Sequence, residues 1–193
     1  MAKDSGTTAQ LKVLVPLAQD CEELEAITIT DLLTRAGMLV TTVGLDSEPV
    51  KASRGMVLLP NTTIDAVMEL SFDLMVLPGG LPGATHLQTN KKIQSKLKAM
   101  AEDNKIVAAI CAAPKALASA GLLKNKRYTC YPGSMGSDLV DSNLYSESNV
   151  VIDGNIVTSR GPGTAMDFAL SLIEILLGKD KRLEVEMPLL RSN

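Results

Sequence analysis

Hydrophobic positions along the chain follow two alternating periods. Short, nearly continuous apolar runs at residues 11–17, 40–45, 73–77 and 106–110 read as strands buried on both faces. Between and after them, residues 22–36, 91–103, 112–120 and 164–177 carry an apolar face at helical spacing, and Gly37, Gly121 and Gly178 mark where three of these helices stop. Residues 50–59 read as a short hairpin around Arg54-Gly55. Residues 127–130, 150–152 and 156–158 read as further strands, with Asp153-Gly154-Asn155 as a turn. The tail, residues 179–193, packs or frays. Strand and helix alternate in the order of an α/β fold with a mostly parallel sheet, whose ligands lie at the carboxyl ends of the strands.

Composition narrows the function classes. A chain of 193 residues, 46% hydrophobic and 21% charged, holds one sizeable core, so residues 11–193 are read as a single domain behind a flexible polar leader at residues 1–10. A net charge of -3, with no dense Lys/Arg run, gives no pull towards nucleic acid or acidic membranes. The polar start lacks an apolar signal core, and the apolar stretches are broken by Glu174 or by Gly and Pro, so no segment is read as exporting or spanning. Cys21, Cys111 and Cys130 are odd in number and far apart, which fits reduced thiols in the cytoplasm. With His86 as the single histidine and no CxxC spacing, no metal site is expected. A small metabolite or another protein is the expected partner.

Cys111 stands at the junction between the apolar run 106–110 and the alanine-rich segment that follows, with Pro114 placed for a first helical turn. There the backbone amides and the helix dipole favour a thiolate. The plain alternative is a small buried residue in an apolar segment. Glu22, Glu23 and Glu25 open the first helix at the same sheet edge, and a protonated carboxyl among them would donate to the sulfur; acids in a first turn are also favourable on their own. Gly79 and Gly80 end the run 73–77 and can either aim amides at an oxyanion or simply form a tight turn. His86 is a formal candidate base, more simply read as a surface histidine. The segment from Ser159 to Thr164 has the look of an anion-binding helix start but lacks the Gly-Lys-Ser/Thr of a phosphate loop.

Taken together, Pro16 to Glu25, Val76-Leu77-Pro78-Gly79-Gly80, Ala108 to Pro114 and Thr158 to Thr164 resemble the ThiJ/PfpI superfamily, in order and spacing, from about Leu11 to Leu190. The resemblance implies a flavodoxin-like α/β sandwich, a mostly parallel central sheet flanked by helices, that forms a homodimer. It assigns the nucleophile to Cys111, its protonated partner to Glu25, and oxyanion donors to Gly80 and Ala112. It places Arg35 and Arg54 at the site periphery near the dimer contact. Two departures qualify it. Peptidase members carry a histidine after the nucleophile, where this chain has Ala112. Tyr131 stands where many relatives of the nearest branch have a histidine that could shuttle a proton. The cysteine many relatives carry near the dimer contact falls at Leu59 or Ala52.

The function this implies is a cofactor-independent glyoxalase or protein deglycase, acting on methylglyoxal, glyoxal or early glycation adducts. The alternative is a cysteine-based oxidative-stress sensor and chaperone in which Cys111 becomes a sulfinate. A hydrolase or amidotransferase is disfavoured by the absence of an adjacent Cys-His pair.

Overall fold

Helix and strand alternate along the chain much as the periodicity requires. The structure, a computed structural model, describes residues 10–136, 139 and 141–191. It runs β1 (Lys12–Leu17), α1 (Glu23–Arg35), β2 (Leu39–Gly44), β3 (Val50–Lys51), β4 (Val57–Leu58), β5 (Thr62–Thr63), β6 (Leu74–Leu77), α2 (Gly83–Thr89), α3 (Lys91–Glu102), β7 (Ile106–Ile110), α4 (Pro114–Ser119), β8 (Val150–Asp153), β9 (Ile156–Ser159), α5 (Ala165–Leu177) and α6 (Lys179–Glu186). The leader expected at residues 1–10 lies, apart from Gln10, outside the described residues. Gln10 itself donates to the Gly37 carbonyl at 2.7 Å.

Seven strands form one sheet in the order β5-β2-β1-β6-β7-β9-β8, and β3 and β4 form a separate hairpin. All neighbours in the large sheet are parallel except β8, which runs antiparallel to β9. Val13, Leu14 and Val15 of β1, Val76 and Leu77 of β6, and Val107 to Ile110 of β7 are fully buried, as strands covered on both faces must be. Helix α1 packs on α5 and α5 on α6, while α2, α3 and α4 pack on one another, so two groups of helices flank the sheet.

The chain leaves β1 for β2 on one side, and the sheet continues through β6 on the other. Such a reversal opens a crevice beyond the carboxyl ends of the two central strands. Leu17 and Leu77 end those strands, so Glu22 and Gly79-Gly80 fall at the crevice. Cys111 follows β7, the next strand across.

Some expectations fail locally. Residues 127–130 form no strand; Tyr128 makes one isolated bridge to Tyr145, and the Thr129 amide donates to the Thr158 hydroxyl at 2.9 Å instead of extending a ladder. The expected helix at 112–120 is shorter, because Cys111 to Ala113 form a turn before Pro114. Part of the tail packs as α6; Ser192 and Asn193 lie outside the described residues.

Candidate functional site

The position of Cys111 is set by its backbone. Its φ of +63° is a left-handed conformation that a side-chain-bearing residue rarely adopts. Its N–H donates to Ser159 O at 3.0 Å, at the end of β9, and its carbonyl accepts from the Tyr131 N–H at 2.8 Å. The turn directs the side chain into a cleft of about 290 Å³ lined by Glu22, Ser53, Arg54, Gly80, Leu81, Cys111, Ala112, Tyr131 and Pro162.

Glu25 lies one turn inside α1 and is fully buried. Its Oε2 accepts the Gly79 N–H at 2.7 Å, Oε1 has no hydrogen-bond partner, and the carboxyl stands beside the Cys111 side chain. Gly79 is therefore committed to Glu25 and is not an open oxyanion donor, which corrects that part of the sequence reading. Its lack of a side chain is essential: a Cβ there would lie 2.6 Å from Cys111 Cβ and 2.8 Å from Glu25 Oε2. The amides of Gly80 and Ala112 instead reach the Cys111 sulfur.

Burial dominates the electrostatics. It pushes Glu25 up to about 7, with the charge of Glu22 adding to the effect and the Gly79 and Cys111 hydrogen bonds opposing it. Burial, and then an ionised Glu25, push the Cys111 thiol up to about 12 against the pull of the Gly80 and Ala112 amides. The expected lowering by a helix N-terminus is not what governs the sulfur, because α4 begins only at Pro114 and is six residues long. The two groups titrate as a coupled pair: when Glu25 is protonated the repulsion disappears and its carboxyl can donate to the sulfur.

Glu23, read from sequence as a first-turn acid, has a larger role. Its carboxylate accepts the Arg54 N–H at 2.8 and 3.1 Å and the Ser53 hydroxyl at 3.0 Å, strapping the β3–β4 turn to α1. Although burial opposes ionisation, these bonds and those from the amides of Glu23 and Met56 hold its carboxyl below the usual range. Neither this strap nor the place of Glu22 in the cleft could be read from spacing, since both depend on where the hairpin turn lands.

The structure brings together Cys111, Glu25, Gly79, Gly80, Ala112, Arg54 and Tyr131. Arg35 stands apart within this chain: it ends α1 away from Glu25 and pairs with Asp31 at 2.6 Å on the exposed surface. His86 is exposed on α2 and lines a different cavity with Leu17, Gln19 and Asp46. Cys21, Cys111 and Cys130 are all free and buried. Among the described residues, no group of His, Cys, Asp and Glu could hold a metal ion, and no helix is long and apolar enough to cross a membrane.

These features define a class, a flavodoxin-like α/β sandwich with a buried cysteine–carboxyl pair at the carboxyl edge of its sheet. The chain belongs to the DJ-1/PfpI family, whose model matches residues 11–175. It is 44% identical over 179 residues to Drosophila melanogaster protein dj-1beta, covering 92% of this chain and 95% of that one. The crystal structure of Drosophila DJ-1beta superposes with a TM-score of 0.90 at 41% identity, covering 95% of this chain and 100% of that one. Arabidopsis thaliana protein DJ-1 homolog B is 43% identical over 180 residues, 92% of this chain but 41% of the longer plant protein. The Caenorhabditis elegans protein named glutathione-independent glyoxalase DJR-1.2 is 35% identical over 182 residues, covering 94% of this chain and 97% of that one.

Proposed function

We propose that this protein is a cofactor-independent glyoxalase that converts methylglyoxal and glyoxal to 2-hydroxy acids, with early glycation adducts on proteins as related substrates. The observation that carries the reading is Cys111 lining one open cleft with Gly80 and Ala112, whose amides act on its sulfur, and backed by the buried Glu25 carboxyl. The Cys111 thiolate attacks the aldehyde carbon, and the amides meet the oxygen that gains charge. Glu25 supplies the proton that turns the alkoxide into a hemithioacetal hydroxyl. Rearrangement then gives a 2-hydroxyacyl thioester, which water hydrolyses. The worm relative named as a glutathione-independent glyoxalase supports this class of activity.

We also propose that the protein acts in the cytoplasm as a homodimer. Leu24 and Ile27 on α1 are exposed, as are Met56 and Val57 on the hairpin that Glu23 straps to that helix. The dimer is checked by sedimentation, where a single-chain mass at micromolar concentration would refute it.

The test of function is lactate formation from methylglyoxal by purified protein beside Cys111→Ala prepared identically. Saturable turnover that disappears in the variant is expected. Equal rates in both would overturn the reading and leave Cys111 as an oxidation-sensing thiol.

A further inference from the structure

The proposed chemistry needs a base for a proton on carbon. After the sulfur has bonded to the aldehyde carbon, C1, the hydrogen on C1 must leave as a proton. Its electron pair then forms C1=C2 while the C2 carbonyl oxygen takes a proton. A proton delivered to C2 and one lost from the C1 hydroxyl complete the thioester. C1 is oxidised and C2 reduced within one molecule, so no outside oxidant is required. The base must face the substrate and have a free lone pair.

Glu25 is poorly placed for that task. It is fully buried, does not line the cleft, and its Oε2 is held by the Gly79 N–H at 2.7 Å. Swinging it to the carbon would break the bond that positions it. Glu23 is buried, with both oxygens held by the Arg54 amide and Ser53. His86 lies outside the cleft.

We infer that Glu22, the carboxylate lining the cleft, is the base that moves the proton from C1 to C2, an inference that rests on the dicarbonyl reading above. Glu22 caps α1 three residues before Glu25. Glu22 is loosely held, accepting the Leu24 N–H at 3.4 Å and the Ser53 hydroxyl at 3.2 Å, which leaves lone pairs free. It is also half-buried, open to both cleft and solvent. Its charge helps keep the proton on Glu25, so the two carboxyl groups divide the work: one acid for the sulfur and its alkoxide, one base for the carbon.

Glu22→Gln preserves the acceptor for Leu24 and Ser53. Its methylglyoxal kcat is expected to fall by about 10²-fold or more, while iodoacetamide still alkylates Cys111 rapidly at neutral pH. Glu22→Asp is expected to recover part of the turnover. In D2O the wild-type lactate should carry deuterium at C2, because a carboxylate at the mouth exchanges with solvent before returning its proton. Wild-type turnover with an unchanged rate in Glu22→Gln, or protium retained at C2, would overturn this inference alone. A wild type without turnover would overturn the dicarbonyl reading and this inference with it.

Discussion

Replacing Glu25 by glutamine should separate the stability the carboxyl costs from the reactivity it gives. Burial raises Glu25 from 4.5 to about 7. At about 1.4 kcal/mol per pH unit, that displacement amounts to about 3 kcal/mol. The folded value lies above the unfolded one, so this contribution is fully present below pH 4.5 and is lost as pH rises through about 7. Glutamine has no such proton to lose, and its side-chain oxygen still accepts the Gly79 N–H. The variant should therefore match wild type near pH ~4 and exceed it by about 3 kcal/mol near pH ~8. For a chain of this length, that raises Tm by roughly 2–4 °C per kcal/mol. In the wild type the alkylation rate follows the titration of the coupled pair, whereas in the variant the Glu25 charge that raises the thiol is gone and burial and the Gly80 and Ala112 amides govern it, so the inflection should move. Thermal denaturation at both pH values, with iodoacetamide alkylation rates across the pH range, measures both effects. A variant less stable than wild type in the alkaline scan, or an alkylation inflection that does not move, would refute the coupled-pair argument.

Two other substitutions probe the frame around the pair. Gly79→Ala forces a Cβ to 2.6 Å from Cys111 Cβ and 2.9 Å from Ile110 O, and should cost about 1–3 kcal/mol in denaturant unfolding together with the alkylation rate at neutral pH. Lys96→Met removes the ammonium that donates to Met68 O at 2.8 Å and Leu70 O at 2.5 Å; the stranded carbonyls should cost about 1–3 kcal/mol in the same assay without changing Cys111 reactivity.

The parallel strands were legible because both of their faces are buried: the run at 106–110 matches Ile106–Ile110 of β7, and the hairpin turns at Arg54-Gly55. Helix α2 escaped notice because Gly83-Ala84-Thr85-His86 follows glycine and proline and shows little apolar period; packing against α3 and α4 holds it. Residues 127–130 misled for the converse reason. Tyr128 and Thr129 are good strand formers, but β9 already has β7 and β8 as its neighbours, so no ladder was open to them. At the site, Cys111 stood out by its place at a sheet edge beside three glutamates, and only the family resemblance singled out Glu25 among them. The use of the Gly79 amide by Glu25 and the Glu23 strap are contacts between segments distant in sequence, which periodicity does not encode.

The backbone clasp on Cys111 also dates the birth of the nucleophile during synthesis. Its amide is taken up by Ser159, whose own hydroxyl bonds Asn149 O and pairs with Thr164. Until the ribosome has released the strand that contains Ser159, the Cys111 amide lacks its partner and the Pro162 side of the pocket is missing. The nascent chain thus carries a thiol that is not fully clasped from the addition of Cys111 until Ser159 has emerged, and the complete clasp arrives only with the last parallel strand.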